Sequence, residues 1–593
     1  MQILTKINSL SDLKKLTLDD CKSLASEIRS EIISVMSKNG GHLASNLGSV
    51  EILLALHRVF NSPKDRFIFD TSHQIYAHKI ITGRKHLFSR IRQYKGLSGF
   101  SSPEESIHDH FYAGHAGTAL SLAIGVAKSR DLHKNHNHII PLISDAPFAC
   151  GLTLEALNHV DENLKNFILV VNDNQMAISD GVGTIHKKIF CDTNQTQSAK
   201  TFFEQFNLEY IGPVDGHDLE GLINTFEKAK NSPKPIVLHV RTIKGYGMEK
   251  AIDNPISYHG VKPFHVESGE FIKPKLKKPT FPKIFGDHLT KLAEKDTSIV
   301  AVTPAMSSGS CLDTFKEKFP DRFFDVGIAE GHAVTFAGGL GHDRRLKVVC
   351  SIYSTFFQRA FDNLFQDVLL QKIPVVFAVD RAGLSPSDGV THHGVFDISF
   401  LNAMPNMVIA QPRDGDLLKD LLESSFKWNK TVAIRYPNMA TEETERGRIF
   451  RDMGRGEILN LGSEIVIFAL GHMSTLALEI KEDLKNQGVN PTVVDPIFLK
   501  PFDTDLLFTL SQTHSHFITI EEHSIQGGLA SIINNLIKDL EIPNLEVQNF
   551  ALPDNFIEHG SYDELMEEIN LTKKAIVEQI LEKLALKQPL SSL

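Results

Sequence analysis

The stretch His138-Ile139-Ile140-Pro141-Leu142-Ile143-Ser144-Asp145, followed after a helical interval by Phe167-Ile168-Leu169-Val170-Val171-Asn172-Asp173-Asn174, decides the fold class. Residues 139–143 and 167–171 are apolar runs of strand length that end in polar residues, and 150–160 between them reads as a helix. Strand, helix and strand in this order form a βαβ crossover, which lays the two strands parallel in one sheet. Asp145 and Asn174, 29 residues apart (174 − 145 = 29), then stand at the carboxyl ends of two strands, the edge where open α/β sheets bind ligands. One carboxylate and one amide oxygen are hard donors. They suit Mg²⁺, which keeps several waters and takes other ligands from a phosphate-bearing cofactor. On these residues alone an equally good reading is an aspartate capping the next helix and an asparagine in a turn.

Outward from this unit, apolar runs of strand length alternate with helical patterns along nearly the whole chain, so the expected class is α/β with mostly parallel sheets. The 593 residues suggest roughly three to five domains. Residues 271–282 carry three prolines and four lysines and read as an extended connector. Beyond it, strands are expected at 299–302, 348–352, 375–379 and 432–435, with 451–456 as the next crossing. A third domain should start near 446, with strands at 465–470, 491–494 and 517–520 and a closing amphipathic helix over 571–588. The expected domains are 1–272, 283–445 and 446–593.

Lys and Arg number 62 against 72 Asp and Glu, a net charge of −10, with no long basic stripe, which disfavours nucleic acid as a partner. No apolar run reaches membrane-span length, so no membrane partner is expected. The five cysteines are widely spaced without zinc-ligand spacing, and a reducing, cytoplasmic setting fits them best. Several of the 27 histidines adjoin glycine, among them His42, His115, His217, His259 and His332. Singly each reads as a satisfied loop histidine; together they suggest a site assembled from loops.

Asp145 followed by Asn174 resembles the thiamine-diphosphate motif that begins Gly-Asp-Gly and ends in Asn. Further segments resemble the 1-deoxy-D-xylulose-5-phosphate synthases, a transketolase-like family. They are Gly40-Gly41-His42-Leu43-Ala44-Ser45-Asn46-Leu47-Gly48, His73-Gln74-Ile75-Tyr76-Ala77-His78-Lys79, Lys95-Gly96-Leu97-Ser98-Gly99-Phe100 and Tyr210-Ile211-Gly212-Pro213-Val214-Asp215-Gly216-His217. Farther on come Phe319-Pro320-Asp321-Arg322-Phe323-Phe324-Asp325-Val326, Ile328-Ala329-Glu330, Tyr353-Ser354-Thr355-Phe356, Asp380-Arg381-Ala382-Gly383 and Asp388-Gly389-Val390-Thr391-His392. Order and spacing match from about residue 8 to about residue 580.

The resemblance implies three consecutive doubly wound α/β domains of the transketolase type, a homodimer, and cofactor bound between the first two domains of one chain. It implies a transferase that decarboxylates pyruvate on thiamine diphosphate and joins the two-carbon unit to D-glyceraldehyde 3-phosphate, supplying precursors of isoprenoids, thiamine and pyridoxal. By position, Asp145, Asn174 and the carbonyl of Met176 would hold Mg²⁺. His73, Gly114, His115, Ala116, Ala146, Pro147, Asn174 and Met248 would line the cofactor, with Glu330 on its aminopyrimidine and Phe356 stacked there. His42 and His259 would handle protons, while Tyr353, Arg359, Arg381, Asp388 and His392 would grip the acceptor. These roles suit the chemistry. The cofactor supplies the electron sink, a glutamate in a site of low dielectric shares a proton with the pyrimidine, histidines move protons near neutral pH, and arginine matches phosphate oxygens.

Departures from the family pattern gather around cofactor and acceptor. In Ser144-Asp145-Ala146-Pro147 a glycine has become Ala146 and Pro147 offers no N–H. Losing one charge-assisted hydrogen bond, about 1.5–3 kcal/mol, would weaken cofactor binding about ten- to a hundredfold. Ala116-Gly117 replaces two serines, Met248 a tyrosine, and Asn438 a phosphate-binding arginine, leaving Arg359, Arg381 and Arg435 as candidate cations. The segment between 179 and 210 is shortened. Two alternatives follow: a carboligase with another aldehyde acceptor, or a catalytically impaired paralogue with a structural role.

Overall fold

A computed structural model describes residues 2–176, 181–191, 195–272, 278–444 and 446–585. The chain forms two compact units, Met1–Pro274 with Val326–Ala329, and Lys275–Asp325 with Glu330–Leu593.

In the first unit the strands Arg66–Phe69, Ile139–Ser144, Ile168–Asp173, Ile236–Arg241 and Glu209–Asp215 lie in this spatial order in one all-parallel sheet. Side chains alternate across it. Ile140, Leu142, Ile168 and Val170 enter one core, and Ile139, Ile143, Leu169 and Val171 the other. Burial on both faces is why these strands are continuous apolar runs. The first core is closed by the helix Leu18–Asn39, whose Leu24, Ile28, Ile32 and Val35 recur at helical spacing and are buried. Each such side chain contributes roughly 1.5–3 kcal/mol by leaving water. Thr17 starts this helix in a capping box with Asp20, and its end at Gly40 delivers the chain directly to Gly41 and His42.

In the second unit, the strands Met407–Ala410, Thr431–Tyr436, Val375–Asp380, Lys347–Tyr353, Ile299–Thr303 and Phe323–Asp325 run parallel in that spatial order. A further five-stranded sheet centres on Glu464–Ala469 and His514–Ser524. The strand Phe498–Lys500 joins the edge of the first of these sheets antiparallel to Met407–Ala410, although it lies beyond residue 446.

The expected crossing at 451–456 is a loop with a turn at Met453 and Gly454, and it leads into the antiparallel edge strand Glu457–Asn460. Arg451 instead turns inward, donating to Asp420 at 2.9 Å and pairing with Glu457. The closing helix is Lys573–Ala585. The rest of the expected 571–588 helix past 585, and the middle of the expected connector at 273–277, lie outside the described residues. No helix among the described residues is long and apolar enough to cross a membrane.

Candidate active site

The parallel register pairs Ser144 with Asn172, so Asp145 and Asn174 do follow the carboxyl ends of adjacent strands. Asp145 is 1% exposed and its side chain makes no capping hydrogen bond to the following turn, Ala146–Ala149, which disposes of the capping alternative. Its Oδ2 contacts His186 Nε2 at 3.2 Å, whereas its buried Oδ1 has no hydrogen-bond partner among the described residues. Burial, against His186, pushes this carboxyl above its usual range. A buried, orphaned carboxylate oxygen is what a divalent cation would satisfy, so the donor set fits Mg²⁺. Asn174 spends its Oδ1 on the Met176 amide at 3.1 Å, a turn contact, as the other reading expected. Lys244, buried, is pushed down to about 8 by burial, with Asp145 opposing.

Three imidazoles meet beside this edge. His42 pairs with Gly260 in a two-residue antiparallel bridge, which brings His259 alongside. The His42–His73, His42–His259 and His73–His259 ring centroids are 5.3, 5.4 and 5.3 Å apart. Asn46, fully buried, pins two of them: its Nδ2 donates to the carbonyls of His42 and His73 at 2.9 and 2.7 Å, and its Oδ1 accepts from the Tyr76 amide. Burial, then the nearby Lys244 and the two other histidines, hold His259 well below the usual histidine range, so it is a neutral proton acceptor at pH 7.

The loop carrying Gly114, His115, Ala116 and Gly117 is held by Asp70, which accepts from the Gly117 amide at 2.9 Å and from Ala119 at 3.1 Å. Gly117 has φ +85°, and a Cβ there would stand 2.8 Å from Cys150 Sγ. Serine cannot occupy position 117 without strain, which accounts for the glycine, while nothing in the structure explains the change to Ala116. Ala146 and Pro147 open the turn after Asp145. Met248 packs half-buried against the apolar core.

In the second unit Glu330 is the first residue of the helix Glu330–Gly341, 5% exposed, with Arg359 Nη1 at 3.5 Å. Burial pushes its carboxyl up and Arg359 opposes. Phe356 stacks on Tyr353 at 5.7 Å and meets the His392 ring edge-on at 5.7 Å, while Arg381 lies 4.0 Å over the Tyr353 ring. Arg381 also donates to the Gly309 carbonyl at 2.9 Å and pairs with Asp380. Asp388 sits in a tight turn, its amide donating to the Ser385 carbonyl at 3.1 Å. Contacts thus form two groups, Glu330 with Arg359, and Phe356 with Tyr353, Arg381 and His392.

Arg435 is corrected as an acceptor cation: it is 1% exposed and bound through Nε and Nη2 to Asp397 at 2.9 and 3.0 Å. Asn438 is exposed. His217 and His472, which had no assigned role, bond Glu51 at 3.3 Å and Glu522 at 2.8 Å. Sequence reasoning passed over His186 and Asn46. The first has no motif spacing to Asp145, and the second carries no acid–base chemistry.

A family model described as 1-deoxy-D-xylulose-5-phosphate synthase matches residues 4–200 and 190–242. The transketolase pyrimidine-binding domain matches 277–443 and the transketolase C-terminal domain 454–576. The 1-deoxy-D-xylulose-5-phosphate synthase of Chlamydia caviae is 48% identical, covering 98% of this chain and 96% of its own. The chain belongs to the 1-deoxy-D-xylulose-5-phosphate synthase family. That of Chlamydia pneumoniae is 46% identical with the same coverage. A transketolase structure from Campylobacter jejuni is 18% identical, covering 96% of this chain and 100% of its own, with a TM-score of 0.45. The family is one of transferases with a transketolase-like α/β fold and thiamine-diphosphate chemistry, as the resemblance implied.

Proposed function

We propose that the chain condenses pyruvate with D-glyceraldehyde 3-phosphate, releasing CO₂ and forming 1-deoxy-D-xylulose 5-phosphate, and that the residues above divide the work. The observation that carries this reading is the pair of preformed constellations in one chain: Asp145 with its orphaned oxygen, joined through the buried Lys244 to a cluster of three imidazoles, and buried Glu330 held by Arg359. Asp145, Asn174 and the Met176 carbonyl would hold Mg²⁺. His73, Gly114, His115, Ala116, Met248 and the turn at Ala146 and Pro147 would line the cofactor. When bound, thiamine diphosphate supplies the electron sink for the carbon that loses CO₂. Glu330, its proton affinity raised by burial, would share a proton with the aminopyrimidine, and Phe356 would pack against that ring. His42 and His259 would accept and return protons near the reacting carbon, His259 being held neutral by its burial. Tyr353, Arg359, Arg381, Asp388 and His392 orient the phosphorylated aldehyde.

The three-domain division 1–272, 283–445 and 446–593 belongs to the same reading, supported by three separate major sheets. So does a homodimer, supported by the exposed apolar row Phe361, Phe365 and Leu370. A cytoplasmic location accords with five unbridged cysteines. Purified protein incubated with Mg²⁺, thiamine diphosphate, pyruvate and D-glyceraldehyde 3-phosphate should yield 1-deoxy-D-xylulose 5-phosphate and CO₂ in equal amounts. Product only with a non-phosphorylated aldehyde, or absence of cofactor binding by calorimetry, would overturn it. The near full-length similarity to synthases favours neither of those two alternatives.

A further inference from the structure

Residues 383–394 form a closed loop: the Gly383 amide donates to the Gly394 carbonyl at 2.8 Å and the Gly394 amide returns to Gly383 at 2.7 Å. This loop carries Asp388 and His392. Its fixation comes from outside it. Glu522, 3% exposed on the strand His514–Ser524, accepts from the Leu384 amide at 2.5 Å through Oε1, while its Oε2 accepts from His472 Nε2 at 2.8 Å and from the Tyr562 hydroxyl. The approach is so close that a Cβ on Gly383, at φ +102°, would lie 2.4 Å from Oε1. At the far side His393 Nδ1 accepts from the Ser385 amide at 2.8 Å and its Nε2 donates to the Ile557 carbonyl at 3.0 Å, and the Gly560 amide donates to Pro386 at 3.0 Å.

A carboxylate taken this far from water costs several kcal/mol in desolvation, so Glu522 is an expensive way merely to fill space. What it secures is geometry: a loop amide, a histidine and a tyrosine converge on one carboxylate of a strand within a sheet, and sites held by such rigid elements keep their orientation. We propose that Glu522 and Tyr562 are positioning residues that clamp the loop 383–394, so that Asp388 and His392 are presented to the aldehyde acceptor. The inference rests on the acceptor role assigned to this loop above.

The test uses the full-length holoenzyme and two variants, Glu522→Gln and Tyr562→Phe. Amide hydrogen exchange of the peptide spanning 383–394 should quicken at least tenfold in both. The KM for D-glyceraldehyde 3-phosphate should rise about tenfold, while the KM for pyruvate and the thiamine-diphosphate dissociation constant stay within twofold. Tyr562→Phe removes one hydroxyl and keeps the question answerable if Glu522→Gln does not fold. Unchanged exchange overturns the clamp, and so does a parallel rise in all three binding parameters, which marks general damage. Asp388→Ala separates the other failure: if exchange quickens in the clamp variants but neither they nor Asp388→Ala raise the acceptor KM, the acceptor role of the loop falls and the inference with it.

Discussion

A carboxyl group buried at the first turn of a helix, with one arginine nearby, holds its proton to higher pH than one in water. Glu330 is so placed, and burial outweighs Arg359 in setting its affinity. Glu330→Ala should therefore keep thiamine-diphosphate affinity, measured by calorimetry, and lose about 10²- to 10⁴-fold in kcat. Near-normal turnover would refute its role. Residue 438 offers the complementary test. With Arg435 committed to Asp397, the candidate cations that remain for the proposed acceptor phosphate are Arg359 and Arg381, and both already have anionic partners. Asn438→Arg should lower the KM for D-glyceraldehyde 3-phosphate about tenfold, the worth of one charge-assisted hydrogen bond. An unchanged or raised KM would place the phosphate elsewhere.

Among elements, the loop from Gly114 to Ala119 shows how a departure from family pattern can be structural. Gly117→Ser restores a hydroxyl but puts a side chain at φ +85° against Cys150, so it should cost about 1–3 kcal/mol of stability and bring no gain in cofactor affinity. Tighter binding with an unchanged melting temperature would contradict this. The sheets themselves were legible because strands buried on both faces must be apolar throughout, as 139–143 and 168–171 are. The edge strand Glu457–Asn460 was not, since half-exposed edges carry no such pattern. Arg451 appears polar until Asp420, 31 residues earlier, is brought beside it. The candidate chemistry-bearing residues were proposed from motif order. Their supports, Asp70 under one loop and Asn46 under two histidines, depend on contacts that spacing does not encode.

Across the whole molecule, two sets of buried groups pull stability in opposite directions with pH. Burial lowers His78, His110, His288 and His523 to about 4 and holds His57 and His259 well below 6.5. The unfolded chain takes up protons there that the folded one refuses, so this stability is full above pH 6.5 and is lost on acidification toward 4. Burial raises Glu521 and Asp495 to about 7 and Asp380 to about 6. For these the folded state keeps protons that the unfolded state releases above its ordinary carboxylate value near 4, so their contribution is full in acid and lost as pH rises through 6 to 7. The histidines are the larger set, and the melting temperature should therefore climb from pH 5 and level off between about pH 7 and pH 8, where neither set changes its proton balance further. Thermal unfolding in buffers of equal ionic strength measures it; a melting temperature still rising as pH falls below 6 would mean the acids dominate. Glu521 can be isolated from the rest. Its hydrogen-bond partners are the Leu529 and Ala530 amides at 2.6 and 2.8 Å, Arg435 lies near enough to favour its charge, and it makes no ion pair among the described residues, so above pH 7 it bears a buried charge held mainly by those amides. Glu521→Gln cannot ionise, so the melting temperature of the variant minus that of the parent should become more positive between pH 5 and pH 8, whatever its absolute value. A difference that stays flat over that range would show that Glu521 is already ionised in the folded state at pH 5.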